Sequence, residues 1–371
     1  MKRQGLREHI FLYEEGNFMN MSNTKGKLLL AGVICGLVAM VLAIFGNPAN
    51  MAICVACFIR DTAGALKLHS APVVQYFRPE ILGFVLGSFV ISLATKEYKS
   101  TAGSSPMTRF VLGIAMMIGA LVFLGCPLRM VIRMSAGDLN AWVALIGFIA
   151  GVAVGVLALK KGFSLGRAHE TNGMSGAVLP AVMIIFFVIG LVTTLYASST
   201  EGPGSMHAPI AIALIGAIIF GIFAQRSRMC FAGSFRDIIL MKNFDLITVI
   251  GGLFAVMLVY NIAAGKFVLG FAGQPIAHTE ALWNILGMFV VGLAAVLAGG
   301  CPLRQLILAG QGSADSAVMV LGMFFGAALC HNFGLASSAE GTTPGGRIAT
   351  IICIVILLVI AFGGNKRKAS A

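Results

Sequence analysis

A chain of 371 residues that is 58% hydrophobic and 11% charged, with 46 glycines, is too apolar for a soluble globular domain. The formal charge of +12 would suit nucleic acid, but the 26 lysines and arginines lie between apolar runs or in short polar breaks, with no basic domain to gather them. A nucleic-acid partner is therefore excluded, and the charge points to membrane orientation and to attraction of anions. The eight cysteines sit mostly in or beside apolar stretches, which excludes a secreted disulfide framework.

Taken in chain order, residues 1 to 27 are polar and mixed in charge (Arg3, Arg7, Glu14, Glu15), without the apolar core of a signal peptide, and read as a cytoplasmic tail in which Met21 is a second candidate start. Crossing a hydrocarbon core of about 30 Å takes roughly 20 apolar residues in a helix, the form that satisfies its own backbone there. Such helices are expected at 28 to 46, 80 to 95, 107 to 125, 141 to 159 and 177 to 196, then at 209 to 224, 246 to 260, 281 to 300, 316 to 332 and 347 to 363. Four semi-polar segments, 48 to 66, 126 to 137, 226 to 243 and 301 to 312, are too short to span and too apolar for loops, and read as re-entrant or broken helices. The fold class is thus an all-α integral membrane protein. Lys25, Lys27, Lys96, Lys99, Arg109, Lys160, Lys161, Arg167, Lys366, Arg367 and Lys368 fall on one side of ten spans, which makes both termini cytoplasmic.

The chain repeats itself. Cys-Pro-Leu-Arg stands at 126 to 129 and again at 301 to 304, Arg60-Asp61 follows Cys54 as Arg236-Asp237 follows Cys230, and Cys126 lies 72 residues past Cys54 as Cys301 lies 71 past Cys230. Gly147 and Gly151 follow the first Cys-Pro motif at the offsets of Gly322 and Gly326 after the second. The expected division is a first repeat at 28 to 162, a linker with a connecting helix at 163 to 208, a second repeat at 209 to 333, and a final helix with a basic tail at 334 to 371. An odd number of crossings from one repeat to the other inverts the second, the usual construction of secondary transporters whose broken helices meet near the midplane.

In Gly125-Cys126-Pro127-Leu128-Arg129 the glycine can end one helix and the proline open the next, leaving Cys126 at an N-cap-like position where free N–H groups attract anions; Gly300-Cys301-Pro302-Leu303-Arg304 repeats this. Cys126 and Cys301 are the leading candidates for a substrate path, joined by Cys54, Cys230, Arg129 and Arg304. A lone membrane cysteine is ordinarily a small buried hydrophobe, and Cys35, Cys330 and Cys353, which have no repeat counterpart, are read that way. Cys57 makes a Cys-x-x-Cys with Cys54, but its repeat position is Gly233, so a redox or zinc pair is set aside. Buried guanidinium groups need partners. Arg60 with Asp61, and Arg236 with Asp237, are read as structural ion pairs; Arg129 and Arg304 have no carboxylate in their motif, though Asp138 and Asp315 follow. The glycine spacings are read as helix packing. The loop motifs Gly202-Pro203-Gly204-Ser205-Met206-His207-Ala208-Pro209 and Pro275-Ile276-Ala277-His278 are given an entrance or structural role, with no metal spacing linking their histidines. No motif for a cofactor or a metal is present.

The segments GNPANMAICVACFIRDTAGAL, FLGCPLRMVIRM, GPGSMHAP, AQRSRMCFAGSFRDIIL and GGCPLRQLILAG resemble the YeeE/YedE family of sulfur-transport membrane proteins, and within it the selenium-metabolism YedE/FdhT branch. The resemblance implies an hourglass-like helical protein of the bacterial inner membrane, with short helices at its waist and cysteines that pass the substrate along; those roles would fall on Cys54, Cys126, Cys230 and Cys301. It also implies import of a small selenium compound, with thiosulfate or another sulfur compound as the alternative. A cytoplasmic selenium- or sulfur-handling protein is the partner to expect. A reading of another class is a membrane sulfur or selenium transferase, weakened by the lack of a general-base motif beside the thiols.

Overall fold

The computed structural model describes residues 24–48 and 50–363; of the tail expected at 1 to 27, residues 24–27 open the first helix, and the rest, like the basic end of the chain, lies outside these residues. Numbered in chain order, ten of its helices are long: α1 (Thr24–Ile44), α3 (Pro79–Ala94), α4 (Pro106–Phe123), α6 (Leu139–Lys160), α7 (Gly173–Val192), α8 (Ile210–Arg226), α10 (Asp245–Ala263), α11 (Ala281–Ala298), α13 (Ala314–Asn332) and α14 (Pro344–Gly363). Four are short: α2 (Val55–Ala65), α5 (Pro127–Ser135), α9 (Phe231–Met241) and α12 (Pro302–Gly310). A ribbon pairs β1 (Thr101–Ala102) with β2 (His169–Glu170). Nine stretches among the described residues are long and apolar enough to cross a membrane, and α3 is a shorter apolar helix. The expected spans and the four short segments all fall on these helices. The protein is an all-α, multi-pass membrane protein.

Pro106–Ser135 and Ala281–Gly310 are each 30 residues, more than a straight crossing of the hydrocarbon core needs, and each is broken at its Cys-Pro motif. Leu124 and Gly299 close α4 and α11 in the left-handed region, at φ 65° and 84°, and Pro127 and Pro302 open α5 and α12 at the first helical position, where a missing N–H costs nothing. The break between α8 and α9 uses Arg228 at φ 53°.

Packing between the halves is reciprocal. α6 lies on α11 as α13 lies on α4; α3 lies on α8 as α10 lies on α1; α2 meets α13 as α9 meets α6; α12 meets α3 as α5 meets α10. Each pair becomes the other when every helix is replaced by its repeat counterpart, and the counterparts α4 and α11 also touch. Direction follows from the glycines. A Cβ on Gly147 would run into the Ile285 carbonyl, on Gly151 into that of Phe289 and on Gly155 into the Val296 side chain, so α6 and α11 run parallel. Gly322 against Phe110, and Gly326 against Ile114 and Met117, make α13 and α4 parallel in the same way. α4 and α11 run antiparallel, because Gly119 faces Gly287 and Val290 while Gly287 also faces Phe123. Counterpart helices therefore point in opposite directions, and the glycine stripes let their backbones touch.

The connections form two rims. On the first, Leu139 bonds to Gly270, Ala197 to Ala65, Gly204 to Val73 and Asn332 to Leu68. On the second, Lys99 bonds to Gln311, Thr101 to Gly312 and Thr171 to Ser100, and Arg226 pairs with Glu97 at 3.6 Å. Lys96, Lys99, Lys160, Lys161 and Arg167 lie on the second rim.

Candidate functional site

All four short helices begin at a cysteine. Cys54, Cys126, Cys230 and Cys301 are the N-cap residues of α2, α5, α9 and α12, each in an extended conformation, and each is buried. The first turn of a helix has N–H groups without helical partners, and these are spent on sulfur. Cys54 Sγ accepts the Cys57 N–H at 3.4 Å, and Cys230 Sγ accepts the Gly233 N–H at 3.2 Å. The second thiol of each half lies over the same helix end, Cys126 near Ala56 and Cys301 near Phe231.

The thiols are therefore brought together within each half. Cys54 Sγ and Cys126 Sγ are 3.8 Å apart, and Cys301 lies beside Cys230 in the second half. The contacts join Cys54 with Cys126 and Cys230 with Cys301, across the 72- and 71-residue separations seen in the sequence. Cys57, set aside in the sequence as a pair-former, is a third buried cysteine on the same helix turn, joined to Cys54 Sγ through its backbone N–H at 3.4 Å. Cys35, Cys330 and Cys353 are buried apart from these sites.

The two Cys-Pro-Leu-Arg arginines are held differently. Arg129 is fully buried and donates to the carbonyls of Asn50 (3.2 Å), Leu124 and Ile276 (3.0 Å), with Nη1 also reaching Cys57 Sγ at 3.5 Å. Asp138, which the sequence offered as a partner, is bound by Arg133 instead, at 2.7 Å, and caps α6 through the Asn140 N–H. Arg304 donates to Gln225 Oε1 at 3.0 Å, and Asp315 accepts from the Gly103 and Ser104 N–H groups and lies 3.9 Å from Arg109 Nε.

Arg60 meets Asp61 at 2.7 Å and Arg236 meets Asp237 at 2.8 Å. The sequence reading missed Arg78, which binds the other oxygen of Asp61 at 2.7 Å and donates to the Pro203 and Met206 carbonyls at 2.8 and 3.1 Å. A signal for it exists: Arg78 is the N-cap of α3, where the helix dipole repels a cation, so a buried arginine there calls for a carboxylate. The loop of residues 202 to 209 is thereby tied over α2, with His207 stacked on Tyr76 at 3.9 Å and Ala208 N–H bonded to Asn47. The 275 to 278 loop supplies the Ile276 carbonyl to Arg129, while His278 bonds to the Val122 carbonyl at 2.8 Å. Among the described residues no three histidine, cysteine or acidic side chains are grouped to hold a metal ion.

Residues 226–361 match the family model described as sulphur transport. The chain is 33% identical over 100 residues to the thiosulfate transporter TsuA of Spirochaeta thermophila, covering 27% of this chain and 29% of that protein. It is 32% identical over 111 residues to the thiosulfate transporter TsuA of Escherichia coli, covering 29% and 30%. The matched stretch thus spans about three tenths of each relative. The second half of the chain, which holds α9, α12 and their cysteines, is thus similar to the sulphur-transport family.

Proposed function

We propose that this protein carries a small sulfur-containing anion, thiosulfate in the first instance, across the bacterial inner membrane along the thiols of its two halves. The observation that carries the reading is the pair of buried dithiols, Cys54 with Cys126 and Cys230 with Cys301, each at a helix start in one of two oppositely directed halves. Helix starts attract anions, and thiols offer weak, soft donors in a place where water is excluded. The relatives are named for thiosulfate, and this favours a sulfur anion over the selenium compound that the resemblance of the sequence implied.

The halves of the path are read as residues 28 to 162 and 209 to 333. The rim rich in lysine and arginine is read as the cytoplasmic one, with both ends of the chain on that side and a sulfur-handling acceptor protein meeting it there. A transferase would need a base to take the proton from its nucleophile. The partners of Cys54 and Cys126 are other thiols and backbone N–H groups, which favours passage over reaction.

The test is uptake of radiolabelled thiosulfate into liposomes holding only this protein. Cys126→Ala and Cys301→Ala are each expected to abolish it while the protein still inserts and runs as a folded species. Unchanged uptake in both variants would remove the thiol path, and a covalent adduct on a cysteine seen by mass spectrometry would favour transfer.

A further inference from the structure

The two thiol sites differ by one thiol. In the second half the third position of the short helix is Gly233, where a Cβ would come within 3.3 Å of Cys230 Sγ; in the first half the same position holds Cys57. Cys57 is fully buried, its backbone N–H bonds the Cys54 sulfur at 3.4 Å, and its own sulfur accepts Arg129 Nη1–H at 3.5 Å. The other acceptors of Arg129 are the carbonyls of Asn50, Leu124 and Ile276. Cys57 is thus the group through which a buried cation, bound to neutral acceptors, reaches the Cys54–Cys126 pair. Arg304 in the second half is turned instead to the amide oxygen of Gln225.

Resting on the transport reading, we infer that Cys57 is a specificity-determining residue: with Cys54 and Cys126 it makes a three-thiol cradle backed by Arg129 that passes an anion ending in sulfur and rejects one ending only in oxygen. The chemistry is a difference of affinities. Sulfate and thiosulfate carry the same charge, so Arg129 attracts both. To enter a dry site, an all-oxygen anion must exchange strong hydration for thiols, which are poor donors. A terminal sulfur is more weakly hydrated and meets polarisable sulfur on three sides. The second half, with two thiols and a hard amide oxygen on its arginine, lacks that third contact.

The experiment is uptake of radiolabelled thiosulfate into protein-only liposomes, with unlabelled sulfate as competitor, for the wild type, Cys57→Gly, Cys57→Ser and the remote control Cys35→Ala. Both Cys57 variants are expected to lose about tenfold of the preference for thiosulfate over sulfate, chiefly through a higher KM, with Cys35→Ala unchanged. Cys57→Ser keeps a side chain that Arg129 can bond, so it carries the test even where Cys57→Gly does not fold. An unaltered preference in a folded Cys57 variant overturns the inference and leaves transport standing. Failure of the wild type to accumulate thiosulfate overturns the transport reading and this inference together.

Discussion

The Arg-Asp pairs on α2 and α9 stand at the same offset from the same cysteine, yet one is sealed and the other is wet. Arg60 and Asp61 are 4% and 0% exposed, whereas Arg236 and Asp237 are 33% and 14% exposed. The cause is what covers them. α2 lies under the loop of residues 202 to 209, fastened by Arg78, and is buried along its whole length; α9 is buried only at its first four residues, and its end, Ile239 to Met241, is exposed. Duplication therefore copied the chemistry of the two thiol sites but not their access: the first-rim side is roofed and the second-rim side is open.

The largest break in this comparison should come at the aspartates. Asp61 is the carboxylate bound by two buried guanidinium groups, so Asp61→Asn leaves Arg60 and Arg78 without it away from water and should cost about 3–5 kcal/mol, seen as loss of folded protein from the membrane. Asp237→Asn removes a partly exposed pair and should cost about 0–1 kcal/mol. Thermal stability in detergent, read by size-exclusion chromatography, measures both. Equal losses would mean that the roof over α2 does not separate the halves energetically.

What the sequence could and could not say follows the same line. The spans, the breaks and the inversion were legible because each rests on local pattern: apolar length, Gly-Cys-Pro at a helix boundary, and paired offsets 71 and 72 residues apart. That Cys126 pairs with Cys54, and Cys301 with Cys230, was not legible, since spacing shows that two residues are repeated and not which of them touch. Arg78 and Gln225 were missed because neither has a counterpart in the repeat: Phe244 holds the N-cap of α10, where Arg78 stands on α3. Symmetry found the shared chemistry and hid the residues that make the halves differ.

A middle-sized effect should separate the two motif arginines. Arg129→Gln orphans the Asn50, Leu124 and Ile276 carbonyls and removes the cation beside Cys57, so thiosulfate uptake should fall by about tenfold or more. Arg304→Gln, at a position already bonded to the amide of Gln225, should lower it by only a few fold. Arg129→Lys sharpens the point. A lysine keeps the charge but has no planar fork to span several carbonyls, so little recovery is expected, and full recovery would show that charge alone matters at this position.

The smallest effect should come from the roofed rim itself. Partial burial pushes the Glu280 carboxyl up, but the Thr342 hydroxyl and the Arg347 guanidinium, 2.9 Å from Oε1, outweigh it and hold the group below the usual carboxylate range. The folded chain then binds fewer protons at Glu280 than the unfolded chain does, so this tie between the 275 to 280 and 342 to 347 segments stabilises fully above the unfolded carboxylate range and is lost as pH falls through the folded value. Both partners are about a third or more exposed, and the pair should contribute under about 1 kcal/mol. Glu280→Gln should therefore lower detergent thermal stability slightly at neutral pH and not at all in acid, where the wild type has already lost the bond. A constant deficit at every pH would show that Glu280 acts through packing or its neutral hydrogen bond, and the roof would then owe nothing to charge.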